Sequence, residues 1–560
     1  MRRSLTVVSS LPLAVLAALA LAAAPAPLAA QEPAGQFGTT VDVRVVNVEV
    51  VVTDRDGNPV SGLTRADFEL RVDGRPMPIS NFYSGERGVT TVAESAPASV
   101  SPERPAAAAP VPAAAVAQPS RLVVWIDDLS LVPAHRNRIL KQLGDFLAEQ
   151  EARGTEIMLV RFNRSLEVVR PFGERRRPLA ADLDELRRRS GSGIFVEVNR
   201  RETLREIRAI YSEDTCSRVD DMEQAARRWA EPLRGEVLTG LAGLRDWVRA
   251  LAGLEGRKAL VYVSDGVPLV PGQEAYLLID QLCDATTAWK STENLVNDLR
   301  EVTVAANAAG VTFYSLDAVG LSVDASAADF GPGLSAGNSQ LLRANLQDSL
   351  SNLATETGGR ALLDANDIAP LVAGLRSDLE TFYSLGFAPE GEPDGRQHRI
   401  DVRVARDGLR VRHRSGFTDR VAAERASDRL QASLRFGGES DPLGVVVEAG
   451  GVKRRDGKTA TLPVRIVVPA AKLVFVPAEG GEAARVEITL VASDADGRVS
   501  PEQRRTLVVP RAKLAVELDG AFLRFPLELT LRQGPAVLAV TVRDLNGATE
   551  SIVRREILVR

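Results

Sequence analysis

Four short stretches carry side chains able to do chemistry. LVVWIDDLSLV, residues 122–132, is an apolar run that ends in Asp127 and Asp128 and continues to Ser130. GEVLTGL contains Thr239, and LVYVSDGVP places Asp265 before Gly266. Carboxylates and hydroxyls are oxygen donors, and the ends of apolar strands are where α/β folds hold ligands. Each of these residues also has a plain structural use. A threonine near a helix start is an N-cap, and an Asp-Gly pair after a strand is a turn. The fourth stretch, GLSAG at 333–337, matches the Gly-x-Ser-x-Gly nucleophile pattern. That pattern needs a strand before it and a helix after it, and the preceding ASAADFGP reads as loop. Of the three histidines, His135 lies near a helix start, and His398 and His413 lie in or beside strands. A serine hydrolase is therefore the least supported reading. No Walker loop, dinucleotide fingerprint, zinc-ligand set or His-Glu-x-x-His occurs, so the chain reads as non-enzymatic. The carboxylates of ELRRRSGSG and NRRETLREIR alternate with arginines, as on solvated, salt-bridged helix faces.

These residues need elements to position them. From 121 to 388 strands alternate with helices: RLVVWID, a helix with Ile139, Leu140, Leu143, Phe146 and Leu147 on one face, then EIMLVRF, RKALVYVSDG and VTFYSLD. That order predicts a doubly wound α/β fold, a mostly parallel sheet with helices on both faces. The helix before Gly310 ends in a C-cap glycine. Residues 165–238 and 318–341 are less regular and read as insertions. On either side the period changes to two. Residues 40–87 read as an N-terminal β module, and 382–418 as strands that close it after the α/β domain. Forty-odd residues make too thin a sheet to stand alone, so these two sets of strands are expected to pair. Residues 88–120 are an Ala/Pro-rich linker. Residues 419–440 form a connecting helix, and 441–560 a C-terminal β-sandwich. VVTDRDGNPV, LVASDADGRVS and TVRDLNGATES repeat one design, a valine-rich strand before an Asp/Asn-Gly turn. This predicts immunoglobulin-like sandwiches at both ends. The DRDGN and DADGR loops lack the spacing and closing glutamate of an EF-hand, so they read as turns.

On this order of elements and these strand-end residues, residues 121–388 resemble a von Willebrand factor A-type domain. The flanking phrases VVVTDRDGNPVSGLTRADFELRVDGRPMPISNFYS and LATETGGRALLDANDIAPLVAGLRSDLETFYSLGFAPE extend the likeness to about residues 40–418. They look like a bacterial, chiefly acidobacterial, group of exported von Willebrand factor A-related proteins. The resemblance implies a metal ion-dependent adhesion site: an Asp-x-Ser-x-Ser loop, a later threonine and the aspartate of an Asp-Gly pair around Mg2+. Carried onto this chain, the implied ligands are Asp127, Asp128, Ser130, Thr239 and Asp265. The loop departs from the pattern. Counted from Asp127, both serines are leucines, Leu129 and Leu131; counted from Asp128, Ser130 is kept and Val132 replaces the second serine. The implied site is thus degenerate, with the ion either held or lost. The implied function is binding or adhesion to a protein or cell-surface ligand. The alternative is a structural scaffold of an envelope or secreted assembly with no metal site.

The bulk properties fit. Residues 1–30 hold Arg2 and Arg3, an apolar run and small residues, which reads as a cleaved signal peptide. The protein is expected to be exported, periplasmic or secreted, with no transmembrane span after cleavage. A net charge of −5 gives no basic footprint for nucleic acid. Cys216 and Cys283 are either one disulfide or two separate thiols. In an oxidising compartment the disulfide is the expectation, and closing its loop of 67 residues stabilises by about 4 kcal/mol.

Overall fold

The computed structural model describes residues 44–86, 89–92, 120–287, 294–321, 334–454, 459–478, 481–495, 497–511 and 522–559. The signal-peptide segment and nearly all of the Ala/Pro-rich linker lie outside these. The first strands are β1 (Val46–Thr53), β2 (Phe68–Val72), β3 (Arg75–Met77), β4 (Asn81–Glu86) and β5 (Val89–Val92).

The α/β segment follows in order: β6 (Arg121–Asp127), α1 (Pro133–Ala152), β7 (Glu156–Phe162), β8 (Leu166–Arg170), α2 (Leu179–Arg188), α3 (Gly193–Asp214), α4 (Val219–Ala250), β9 (Lys258–Ser264), α5 (Gln273–Cys283), α6 (Val296–Ala309), β10 (Val311–Asp317), α7 (Ala336–Glu356), β11 (Arg360–Leu362) and α8 (Ala369–Glu380). Its sheet runs β11-β10-β9-β6-β7-β8. It is mixed: five strands are parallel, and only edge strand β8 is antiparallel, to β7. Because strand side chains alternate, β6 feeds two cores. Val123 and Trp125 pack with α4, α6 and α7 residues such as Leu241, Val302 and Leu350. Leu122, Val124 and Ile126 pack with α1, α2 and α8 residues such as Leu143, Leu183 and Leu375. Helix α6 ends at Gly310 in the left-handed region, with φ 63°, the conformation that favours glycine.

The segment read as an irregular insertion is instead mostly helix. α4 is 32 residues long, with Pro232 inside it. Its second half covers the sheet. Its first half joins α3 and α5 in a separate apolar core around Leu204, Ile207, Met222, Trp229 and Tyr276. These helices bury a stripe against each other rather than against the sheet. They are also stitched by ion pairs one turn apart, such as Arg201–Glu197 and Arg227–Glu223.

After α8 the chain forms β12 (Thr381–Phe387), β13 (Gln397–Val404), β14 (Arg410–His413) and β15 (Gly416–Thr418). β12 lies between β1 and β4, in the order β14-β1-β12-β4-β5, and β13 lies between β15 and β2. The strands before and after the α/β segment thus share two sheets, with Val48, Val50, Phe82, Leu385 and Phe387 in the core. The turn at Asp54 is held by its own carboxylate, which accepts from the Asp56 and Asn58 N–H groups. Asp494 does the same for Arg498. These carboxylates serve turns, as expected.

Helix α9 (Ala422–Phe436) precedes β16 (Val446–Ala449), β17 (Lys453–Arg454), β18 (Thr459–Pro469), β19 (Val476–Ala478), β20 (Gly481–Asp494), β21 (Gln503–Pro510), β22 (Phe522–Arg532), β23 (Gly534–Asp544) and β24 (Thr549–Val559). They form two antiparallel sheets, one around β18 and one around β20 and β23, which enclose a core that includes Ile466, Val486, Leu490 and Val540. α9 joins this part to the α/β segment. Leu430 and Leu434 pack on Val491 and Ala539, and Phe436 meets Trp247 edge-on at 5.7 Å. No helix among the described residues is long and apolar enough to cross a membrane.

Candidate functional site

The strand order reverses between β6 and β9, which opens the sheet at its carboxyl end. Parallel register sets Trp125 beside Tyr262 and Ile126 beside Val263, so Asp127 emerges next to Ser264. One oxygen of Asp127, Oδ2, accepts from Ser130 Oγ at 2.8 Å, Ser264 Oγ at 3.0 Å and the Tyr262 hydroxyl at 3.0 Å. The two serine hydroxyls also meet at 2.8 Å. Asp127 is buried. That burial pushes its carboxyl up, against the lowering effect of the three hydroxyls. Burial likewise pushes the Tyr262 phenol up, and the Asp127 charge beside it adds to this.

Asp128 turns away from this cluster. It is 0% exposed and bound by two arginines. Arg136 of α1 donates to both its oxygens at 2.9 Å, and Arg161 of β7 to one at 2.5 Å. Arg136 also donates to the Arg187 and Arg189 carbonyls, and Arg161 to that of Ser190. The Asp128 carbonyl accepts from Ser192 N–H at 2.8 Å. Asp128 therefore ties β6, α1, β7 and the loop before α3 together. The start of α3 lies so close that a Cβ on Gly193 would stand 2.3 Å from the Ser130 carbonyl oxygen.

Asp265 caps a helix from another strand. Its Oδ2 accepts from Val132 N–H and faces His135 Nδ1, both at 2.9 Å. Val132 is the N-cap of α1, which has no side-chain cap of its own and carries proline in its first turn. A carboxylate there meets the positive end of the helix dipole.

Of the five expected ligands, the structure brings Asp127, Ser130 and Asp265 to one cavity wall, and it does not bring Asp128 or Thr239. Asp128 is neutralised behind the turn. Thr239 is not at a helix start: α4 begins at Val219, and the exposed Thr239 hydroxyl donates to the Gly235 carbonyl within the helix. Leu129 and Leu131, at the serine positions of the pattern, are buried in the two cores on opposite faces of the sheet. A hard cation needs several oxygens at 2.0–2.1 Å, whereas these carboxylates already accept protein donors. Among the described residues no group of three or more His, Cys, Asp or Glu stands in a metal-holding arrangement. The donor set does not fit a resident Mg2+. Among the described residues, Asp265 Oδ1 is the one buried oxygen here with no protein partner.

Two parts of this cluster went unnoticed in the sequence. Tyr262 and Ser264 read as ordinary strand residues, although their spacing by two places them on one face. Arg136 and Arg161 stand among the many arginines of the chain. The sequence offers no local sign that they converge on one aspartate.

Cys216 and Cys283 form a disulfide, with Cα atoms 5.5 Å apart, which ties the α3–α4 turn to the end of α5. The GLSAG motif lies partly outside the described residues. Its Ser335 is the N-cap of α7 and accepts from Asn338 N–H at 3.2 Å. His398 pairs with Asp73 and Asp394, and His413 Nδ1 lies against the Arg414 carbonyl.

No family model matches this chain, and no curated protein matches it. Among solved structures it is similar to the pilus adhesin SpaC from Lactobacillus rhamnosus GG, at 10% identity over 90% of this chain and 62% of that one, TM-score 0.21. It is similar to proximal thread matrix protein 1 from the mussel byssus, at 13% identity over 46% of each chain, TM-score 0.20. A β-glucuronidase from Bacteroides uniformis matches at 13% identity over 34% of this chain and 20% of that one, TM-score 0.15. Likenesses this slight carry no argument about fold or function.

Proposed function

We propose that this chain is an exported, non-enzymatic binding protein of the von Willebrand factor A-related kind. In this reading residues 121–388 are a von Willebrand A-type domain carried between immunoglobulin-like β modules, and it engages a protein or surface ligand without a resident metal. The observation that carries the reading is the Asp127 cluster. At the strand-order reversal, one buried carboxylate oxygen accepts three hydroxyls, where a family member would hold its ion. Such a turn is held in shape by its own hydrogen bonds, so it needs no cation to present a surface.

The test is calorimetric titration of the full chain with Mg2+ and Mn2+, beside Asp127→Asn. No saturable heat at millimolar metal is expected. Saturable heat that Asp127→Asn abolishes would restore a metal-dependent adhesion site. The binding function is read separately, from retention of labelled protein on envelope fractions of the producing cell with and without EDTA. Retention insensitive to EDTA is expected, and retention lost on chelation overturns the metal-free reading. One observation favours the scaffold alternative: the α3–α5 helices stand over the top of the sheet, where a macromolecule would dock. Absence of retention, with the chain fixed in a larger assembly, would favour that alternative.

A further inference from the structure

Between the α3–α5 cap and the top of the sheet lies a cavity of about 530 Å³. Pockets for small organic ligands run from about 300 to 1,000 Å³. Its walls are apolar and aromatic, with Trp125, Phe162 and Tyr262 from the sheet and Trp229, Leu233 and Leu346 from the helices. The lip is apolar too. Ile194 and Val198 of α3 line the cavity and are 47% and 45% exposed, so they connect it to the surface.

One carboxyl group of the lining comes from the N-terminus of a helix. Glu274, in the first turn of α5, lines the cavity and is only 6% exposed. No side chain among the described residues hydrogen-bonds its carboxyl group; its own backbone N–H is its one donor. Burial pushes this carboxyl up to about 7, against the attraction of nearby Arg200 and with added repulsion from Glu197. Arg200 and Arg201 both pair with Glu197. The lining holds four carboxyl groups, Asp127, Glu197, Asp265 and Glu274, against two guanidinium groups and His135. A buried carboxylate without an ion-pair partner is costly, and a bound cation would relieve it. Aromatic faces around it also favour a cation.

We propose that this cavity is a binding site for an amphiphilic organic cation, an alkyl or aryl ammonium, whose apolar part fills the aromatic chamber and whose charge meets Glu274. The site takes a small molecule, so it stands whether or not the chain binds macromolecules.

The test is calorimetry on the full chain with decylammonium and dodecylammonium, dodecanol and dodecanoate, each below its micelle concentration. Saturable one-to-one binding is expected for the ammonium ions. Each added methylene should tighten it roughly fourfold, and dodecylammonium should bind more tightly than the alcohol or the carboxylate. Glu274→Gln should weaken dodecylammonium by roughly tenfold or more and leave dodecanol unchanged. Val198→Trp, at the exposed lip, should weaken all the amphiphiles that bind. The proposal is overturned if none of the four binds saturably, if the ammonium binds no more tightly than the alcohol, or if Glu274→Gln leaves the ammonium affinity unchanged. The envelope-retention and metal assays read macromolecular binding and ion binding separately, so failure of either leaves this result interpretable.

Discussion

Asp127 and Asp128 are adjacent, and replacing each with asparagine should have opposite consequences. Asp128→Asn removes the charge that neutralises Arg136, which is 0% exposed, and Arg161, which is 12% exposed. Breaking a buried ion pair from one side costs about 3–5 kcal/mol, because the remaining charge is left buried. Asp127→Asn keeps a carbonyl oxygen where Oδ2 accepts its three hydroxyls and removes a carboxyl that burial disfavours in its charged form. Its cost should stay within about 1 kcal/mol. The sign with pH follows from the raised carboxyl. The folded chain holds this proton more tightly than the unfolded one, so wild-type stability falls as pH rises above the ordinary carboxylate range. Asp127→Asn should therefore compare better with the wild type at pH 7 than at pH 4. All four tryptophans lie within residues 121–388, so urea unfolding followed by tryptophan fluorescence reports on this segment. With m near 3 kcal/mol/M, the Asp128→Asn midpoint should fall by roughly 1–1.7 M. If Asp127→Asn falls as far, or Asp128→Asn stays within about 1 kcal/mol of the wild type, then the division of labour drawn here is wrong.

Three further outcomes are expected. Glu274 is pushed from 4.5 to about 7 by burial, so its stabilising protonation is fully present below pH 4.5 and lost as pH rises through 7; Glu274→Gln should raise stability by about 3 kcal/mol at pH 8 and by almost nothing at pH 4, and equal effects at both would contradict this. Reducing Cys216–Cys283 should cost about 4 kcal/mol and speed proteolysis within α3–α5 before the sheet is cut; unchanged cleavage would mean the disulfide is not what holds the cap. Leu385→Ala, at a fully buried position in the strand between β1 and β4, should cost about 2–5 kcal/mol, and hydrogen exchange should rise together in residues 46–86 and 397–418, whereas a rise confined to one set would show that the two do not share a core.

The elements were legible where burial leaves a strong local pattern. RLVVWID and RKALVYVS are near-continuous apolar runs because both faces of a parallel strand are covered. The α1 stripe of Ile139, Leu143 and Leu147 repeats at helical spacing because one face meets the sheet. Of the cap, LTGLAGLRDWVRALAGL shows its helix by apolar spacing, whereas the first half of α4 and the extent of α3 were not legible. Their apolar residues face other helices of the cap, and their dense arginine–glutamate pairs hide the period.

Local pattern shows the apolar strands of the central sheet, the turn aspartates and the oxygen donors at the strand ends. What those donors do is set by packing between distant elements. Whether an aspartate is a ligand, a helix cap or the anchor of two arginines depends on groups far away in the chain: Arg161 reaches Asp128 from 33 residues on, Tyr262 reaches Asp127 from 135 and Asp265 reaches Val132 from 133. The cavity and the Glu274 that lines it belong to the same class, because a void exists only between elements that have already packed. Local propensity acts over one turn or one strand, whereas burial and charge pairing are settled by packing between elements distant in sequence.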